Sequence, residues 1–170
     1  SRKDQDNFAL ASQQKAWRAI ENGRLAREIT ALDVQVDRKT RQSFAQDEFP
    51  RQTTLQKLQA LKPAFTPEGS VTAGNASGIN DGAAVLLLAS GRYVKRKSLQ
   101  PLAEIGDSAS AGVAPALMGI GPVAATERLL ARTGFTLNDF DVIEINEAFA
   151  AQVLATLQSW RIDFDDTRVN

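Results

Sequence analysis

Asp141-Val142-Ile143-Glu144-Ile145 runs without a break into Asn146-Glu147-Ala148-Phe149-Ala150. The first five residues read as a short strand. The stretch from Glu147 to about Trp160 reads as a helix carrying Phe149, Val153, Leu154 and Leu157 at helical spacing. A strand that hands over directly to a helix is where layered α/β proteins place ligands. Asn146 sits at the handover. Its side-chain amide both donates and accepts, so it suits either the positioning of a water or oxyanion or the capping of the helix. Glu147, in the expected first turn, is accounted for by the helix dipole.

Working back, Pro122 just inside a start and Gly134 just past an end predict a helix over Pro122–Thr133. Leu102 to Val113 and Ala83 to Ala89 read as strands, with Ser90 capping a helix through about Lys97 between them. Strands alternating with helices predict a layered α/β fold. At the other end of the chain, Ser1 with Asp4 three residues on predicts a capping box, and Asn22-Gly23 a stop, for a helix over Arg2 to Glu21. Between Arg24 and Phe65 the pattern loosens. A short strand is expected within Ile29–Val36, and Leu55, Leu58 and Leu61 predict a short helix. This region reads as an excursion built on a core, of the kind that carries binding loops. Arg168-Val169-Asn170 reads as the opening of a further strand.

Composition removes several chemistries. The 170 residues include no cysteine and no histidine, so this chain alone forms no disulfide, no thiolate metal site and no Ser–His or Cys–His pair. Twenty basic residues balance twenty acidic ones, which argues for neither a nucleic-acid nor a membrane-surface partner. No apolar run is long enough to span a membrane. The first six residues do not have the form of a signal peptide. The absence of an initiator methionine suggests a processed chain or part of a longer one. Arg92, Lys95, Arg96 and Lys97 read as a solvated basic face.

Three loops are candidates for chemistry. Gly74-Asn75-Ala76-Ser77-Gly78 with Asn80-Asp81-Gly82 lets a backbone approach a ligand closely, or simply makes a tight crossover between layers. It has neither phosphate-loop nor dinucleotide-fingerprint spacing. Asn146-Glu147-Ala148-Phe149-Ala150 is the second. Met118-Gly119-Ile120-Gly121-Pro122 is the third, open to the same two readings. Arg51, after a proline, reads by itself as a solvated arginine.

Together these segments resemble the thiolase family. Thr72-Ala73-Gly74-Asn75-Ala76-Ser77-Gly78-Ile79-Asn80-Asp81-Gly82-Ala83-Ala84 resembles the family's loop near coenzyme A. Asn146-Glu147-Ala148-Phe149-Ala150-Ala151-Gln152 resembles its Asn-Glu-Ala-Phe signature. Ser1-Arg2-Lys3-Asp4-Gln5-Asp6, Lys62-Pro63-Ala64-Phe65 and Met118-Gly119-Ile120-Gly121-Pro122 also match. The order and spacing are family-like over essentially the whole chain. Two departures are visible: Ser90-Gly91-Arg92-Tyr93 replaces the usual Ser-Glu helix start, and the spacing around Arg51 is one residue shorter.

The resemblance implies a layered αβαβα fold, incomplete here, with an inserted loop domain. Residues 1–100 would hold the end of the N-terminal half, including the loop domain at about 24–70. Residues 101–170 would begin the C-terminal half. The nucleophilic cysteine would lie upstream. The second cysteine and a Gly-Gly-x-x-x-x-Gly-His segment would lie downstream.

The implied activity is that of an acyltransferase (acetyl-CoA acetyltransferase or 3-ketoacyl-CoA thiolase) of fatty acid metabolism and beta-oxidation. It would cleave 3-ketoacyl-CoA with coenzyme A or run the reverse Claisen condensation. Coenzyme A would be a substrate, with no permanently bound cofactor and no metal. Asn146 would hold a water in an oxyanion hole. Ser77, Ala73 and Gly74 would line the pantetheine channel. Met118, Ala148 and Phe149 would line the acyl end, and Arg51 would meet the nucleotide end. A cytoplasmic homo-oligomer, dimer or tetramer, is expected, with acyl-CoA or 3-ketoacyl-CoA as partner and neither nucleic acid nor membrane. The 170-residue chain alone is expected to be inactive. The competing reading is a non-catalytic CoA-binding or assembly fragment. A nucleotide-binding module would need a phosphate loop, which the sequence lacks.

Overall fold

The computed structural model describes all of residues 1–170. Helix α1 runs Arg2–Glu21. Its capping box forms as expected, with the Asp4 amide donating to Ser1 Oγ at 3.4 Å and the Ser1 terminal amine donating to the Asp4 carboxylate at 2.8 Å. The terminal amine and the Ser1 hydroxyl, both donating to the Asp4 carboxylate, hold it below its ordinary value. A hairpin follows, β1 (Leu32–Gln35) antiparallel to β2 (Arg41–Phe44). Its turn is built by Asp37, whose Oδ1 accepts from the Lys39 and Thr40 amides at 2.7 and 2.8 Å. Helix α2 (Leu55–Gln59), capped by Thr54, completes the excursion. Then come α3 (Gly91–Lys97), a 3-10 segment at Pro115–Ile120, α4 (Gly121–Thr133) and α5 (Ala150–Trp160). Ser90 caps α3, and Gly134 ends α4 with φ 77°, the left-handed conformation that glycine adopts without cost.

The core lies where α1 crosses α5. Phe8, Ala150, Val153, Leu157 and Val169 pack together, with Ile145, Leu154, Trp160 and Ile162 around them. Residues 168–170 do join residues 142–144, in a parallel bridge between Ile143 and Val169. The Ile143 amide donates to Arg168 O at 2.7 Å, and the Asn170 amide donates to Ile143 O at 3.0 Å. Asp166 and Arg168 brace this end through a 2.8 Å ion pair that lowers the Asp166 carboxyl to about 2.

Three expectations are corrected. Ala83–Ala89 and Leu102–Val113 form no ladder, and Asp141–Ile145 is reduced to the isolated bridge at Ile143; the one sheet is the β1–β2 hairpin. Val85, Leu86 and Leu87 are 94%, 85% and 98% exposed. Their sequence is strand-like, but a strand exists only when a neighbour accepts its hydrogen bonds, and no segment of this chain supplies one. The last helix starts at Ala150 instead of Glu147, because residues 148–150 are engaged in cross-loop pairing described below. Asn146 is therefore not its N-cap; Phe149 occupies that position, with no side-chain cap.

The exposed area matches this open arrangement. A folded monomer of 18.4 kDa exposes about 8,200 Å². This chain exposes 13478 Å², and only 12 of its 170 residues are buried. The 170 residues alone are accordingly expected to melt broadly and to bind an apolar dye before heating. A single sharp calorimetric transition of a monomer would contradict this reading.

Candidate active site

Helix α1 supplies the floor of the site. Phe8, Ala9, Ser12, Gln13 and Ala16 recur at three- to four-residue spacing and line one cleft of about 270 Å³. The small side chains of Ala9, Ser12 and Ala16 leave room for two loops to descend onto the helix. Those loops are Gly74–Ser77 and Asn146–Ala150, and Phe49 and Pro50 form the rim.

The two loops are joined to each other. Ala76 and Phe149 make an antiparallel bridge. The Ser77 amide donates to Ala148 O and the Ala150 amide donates to Asn75 O, both at 2.9 Å. The bridge explains why the helix cannot begin at Glu147: the Ala148 carbonyl and the Ala150 amide, which a helix starting there would need for its own hydrogen bonds, are already paired with the 75–77 loop. Phe149 meets Phe65 edge-on at 6.3 Å between ring centroids.

Beneath the first loop lies a buried polar network. Asp6 is fully buried. Arg2 Nε donates to its Oδ2 at 2.8 Å, and Asn75 Nδ2 donates to its Oδ1 at 3.0 Å. Asn75 Nδ2 also donates to Ser70 O at 3.1 Å, while Asn75 Oδ1 accepts from the Thr72 amide at 2.8 Å. The Arg2 guanidinium reaches across to the carbonyls of Leu58 and Leu61, at 2.9 Å each. One carboxylate thus ties the start of α1 and the end of α2 to the small-residue loop. Two glycines make the approach possible. A Cβ at Gly74 would come within 2.6 Å of the Leu58 and Leu61 side chains, and one at Gly78 within 2.5 Å of the Phe49 ring.

Asn146, Ser77 and Gly74 line the same cleft. Ala148 and Phe149 pair with its wall. Arg51 turns to a neighbouring cleft of about 300 Å³, lined also by Gln13, Trp17 and Arg18. Its guanidinium stacks on Phe49 at 5.4 Å and donates to Ala73 O at 3.3 Å, so Arg51 and Ala73 meet at the partition between the two clefts. Met118 does not join them. It is 72% exposed on the 3-10 segment that packs against α5, outside the lining of either cleft.

The chain residues that sequence reasoning missed are Asp6, Ser12 and Glu147. Glu147 is not explained by a helix dipole, since the helix starts three residues later; its Oε2 accepts from Ser12 Oγ at 2.5 Å. The available signal was the four-residue recurrence of small or polar residues on α1, which marks a face that another backbone approaches. The carboxyls held low, at Asp4, Asp37, Asp139 and Asp166, all lie outside the cleft. No group of three or more His, Cys, Asp or Glu side chains lies close enough together to hold a metal. No helix is long and apolar enough to cross a membrane.

The profile of the thiolase N-terminal domain matches residues 1–92, and that of the thiolase C-terminal domain matches residues 99–170. An acetyl-CoA acetyltransferase of Pseudomonas aeruginosa is 53% identical over the whole chain, which covers 43% of that protein. A beta-ketoadipyl-CoA thiolase of the same organism is 52% identical, again over the whole chain and 42% of its own length.

Among solved structures, the Bacillus anthracis acetyl-CoA acetyltransferase superposes with a TM-score of 0.93 at 47% identity, covering all of this chain and 43% of that one. Human mitochondrial 3-ketoacyl-CoA thiolase superposes at 0.89 and 41% identity, covering 99% of this chain and 42% of that one. The chain therefore spans less than half the length of the relatives it matches. Its mixed arrangement of helices and strands is a portion of their thiolase-like αβ fold, and the chain belongs to the thiolase family.

Proposed function

We propose that these residues belong to an acyltransferase that cleaves a 3-ketoacyl-CoA with coenzyme A or runs the reverse condensation. The observation that carries this reading is that Asn146 and Ser77, far apart in sequence, line one cleft floored by α1. In this reaction a thiolate adds to the ketone carbonyl, the carbon–carbon bond breaks, the expelled enolate takes up a proton to leave as acetyl-CoA, and coenzyme A, giving up its thiol proton, accepts the acyl group and returns the thiolate. Each addition develops a negative oxygen, which a pre-aimed donor stabilises.

The Asn146 amide, exposed in the cleft and free of a capping role, would hold a water as one such donor. Ser77, Ala73 and Gly74 would line the passage for pantetheine, and Ala148 and Phe149 the acyl end. Arg51, next to Trp17 and Arg18, would meet the nucleotide end. Met118 would reach the acyl group only from outside this cleft. Neither a thiol nor an imidazole is available in this chain, so both must come from other residues of the complete protein.

The reading includes a division near residue 100 into the end of an N-terminal half, with a loop domain at about 24–70, and the start of a C-terminal half. The two profile matches, which meet between residues 92 and 99, support it. It also includes a cytoplasmic homo-oligomer acting in fatty acid metabolism, with coenzyme A as substrate and no resident cofactor. A non-catalytic CoA-binding or assembly role is the second reading, favoured by the absence of cysteine and histidine.

The test is thiolysis of acetoacetyl-CoA by the complete protein and by the purified 170 residues. The complete protein is expected to turn over and the isolated chain to show none. A complete protein that binds coenzyme A yet never transfers an acyl group would establish the second reading. Turnover by the isolated chain would refute the proposed division of labour.

A further inference from the structure

Residues 146–148 precede the Phe149 cap of α5 and make no helical hydrogen bonds of their own. The Ala148 amide donates to Asn146 O at 3.0 Å, which makes a three-residue turn with Glu147 at its apex. Two backbone bonds tie the downstream side of this turn to the 75–77 loop. One side-chain bond ties its apex to the floor: Ser12 Oγ, on α1, donates to Glu147 Oε2 at 2.5 Å. A hydroxyl donating to a carboxylate is a directional contact with one acceptor oxygen, which a carboxamide oxygen could also supply. Both residues are half-buried and both line the cleft. Glu147 makes no ion pair, so its carboxylate is not there to neutralise a neighbouring cation.

We infer that the Ser12–Glu147 hydrogen bond is a positioning clasp, which fixes the turn bearing Asn146 against α1 and so aims the Asn146 amide into the cleft. Ser12 and Glu147 are positioning residues; neither is required to touch substrate. The inference rests on the proposed oxyanion role of Asn146. The backbone bonds fix residues 148–150 and close the turn at Glu147, but none of them ties the turn to α1; the Glu147 side chain supplies its hydrogen bond to the helix beneath. A small misalignment of a catalytic donor is costly, because the stabilisation it provides depends on orientation set before the reaction begins.

The test uses the complete protein carrying these residues, assayed for thiolysis. Ser12→Ala and Glu147→Ala are each expected to lower kcat by about 10–100-fold, with KM for the 3-ketoacyl-CoA changed by no more than about twofold. The double variant is expected to be no slower than either single one, since both remove the same bond. Ser12→Thr keeps a hydroxyl donor and Glu147→Gln keeps an acceptor oxygen, so both are expected to retain most of the parent kcat.

A Glu147→Gln enzyme as slow as Glu147→Ala would overturn the inference, because the charge and not the bond would then matter. Multiplying effects in the double variant would overturn it as well, as would a loss of kcat that merely follows a loss of thermal stability. Unchanged rates in both single variants, alongside a slow Asn146→Ala enzyme, would remove the clasp and leave the proposed function standing. An Asn146→Ala enzyme as fast as its parent would remove the oxyanion reading and the clasp with it.

Discussion

Asn146→Ala in the complete protein is expected to slow thiolysis by about 10²–10³-fold, the cost of one lost oxyanion donor. Its stability should barely change. From sequence, Asn146 could have been a helix cap, and loss of a cap costs about 1 kcal/mol. The structure separates the two roles. The helix begins at Ala150 with Phe149 in the cap position, and Asn146 engages the chain through its carbonyl, leaving an exposed amide at the cleft. A slow but equally stable variant is thus the expected result, measured as kcat alongside the thermal midpoint. A variant that is destabilised yet as fast as its parent would restore the capping role and remove the catalytic one.

The second large effect is on stability. Asp6→Ala is expected to cost roughly 3 kcal/mol, at the lower end of what breaking a buried ion pair costs. The side chain is fully buried, and its removal leaves one N–H of the Asn75 amide and one edge of the Arg2 guanidinium without an acceptor, while Asn75 keeps its bonds to Ser70 and Thr72. Water reaches Arg2, which is 27% exposed and keeps its bonds to the Leu58 and Leu61 carbonyls, so the cost stays below the maximum. Asp4→Ala, two residues away, is the control. It removes one arm of an exposed capping box and should shift the unfolding midpoint much less. Urea unfolding of the complete protein distinguishes them by midpoint at constant slope. Equal shifts for the two variants would show that the buried network carries no particular weight. Because Asn75 leads directly into Ser77, the Asp6 variant should also weaken coenzyme A binding.

The local signals in the sequence were strong where the physics is local. The capping box at Ser1 and Asp4, the Pro122 and Gly134 boundaries, the Ser90 cap and the short leucine helix all depend on neighbours within one turn. Strand β2 was missed because Arg41-Gln42-Ser43 carries no apolar alternation; the useful sign was Asp37, whose side chain folds the turn between the two strands. The strands at Ala83–Ala89 and Leu102–Val113 went the other way. Their apolar composition is real, but pairing requires a partner, and partnership is a property of the whole sheet.

The same distinction applies to the site. Asn146 and Ser77 were visible as unusual residues in unusual loops. That they share a cleft depends on the bridge between Ala76 and Phe149, a long-range contact with no periodic signature. Ser12 was missed for a related reason: its place in the small-residue recurrence on α1 marks an approached face but not what approaches it. A serine on a helix face acquires meaning only when a carboxylate from 135 residues away is laid against it. Met118 shows the converse, a residue singled out with its neighbours that the fold leaves on an exposed turn away from the cleft.

A crystal structure of the complete protein with coenzyme A bound is the most direct measurement. The account predicts pantetheine running past Ser77 and Gly74, with its sulfur end over α1 facing Asn146, and the nucleotide near Arg51. Coenzyme A bound elsewhere, with the space between Ser77 and Asn146 closed by other residues of the protein, would contradict it.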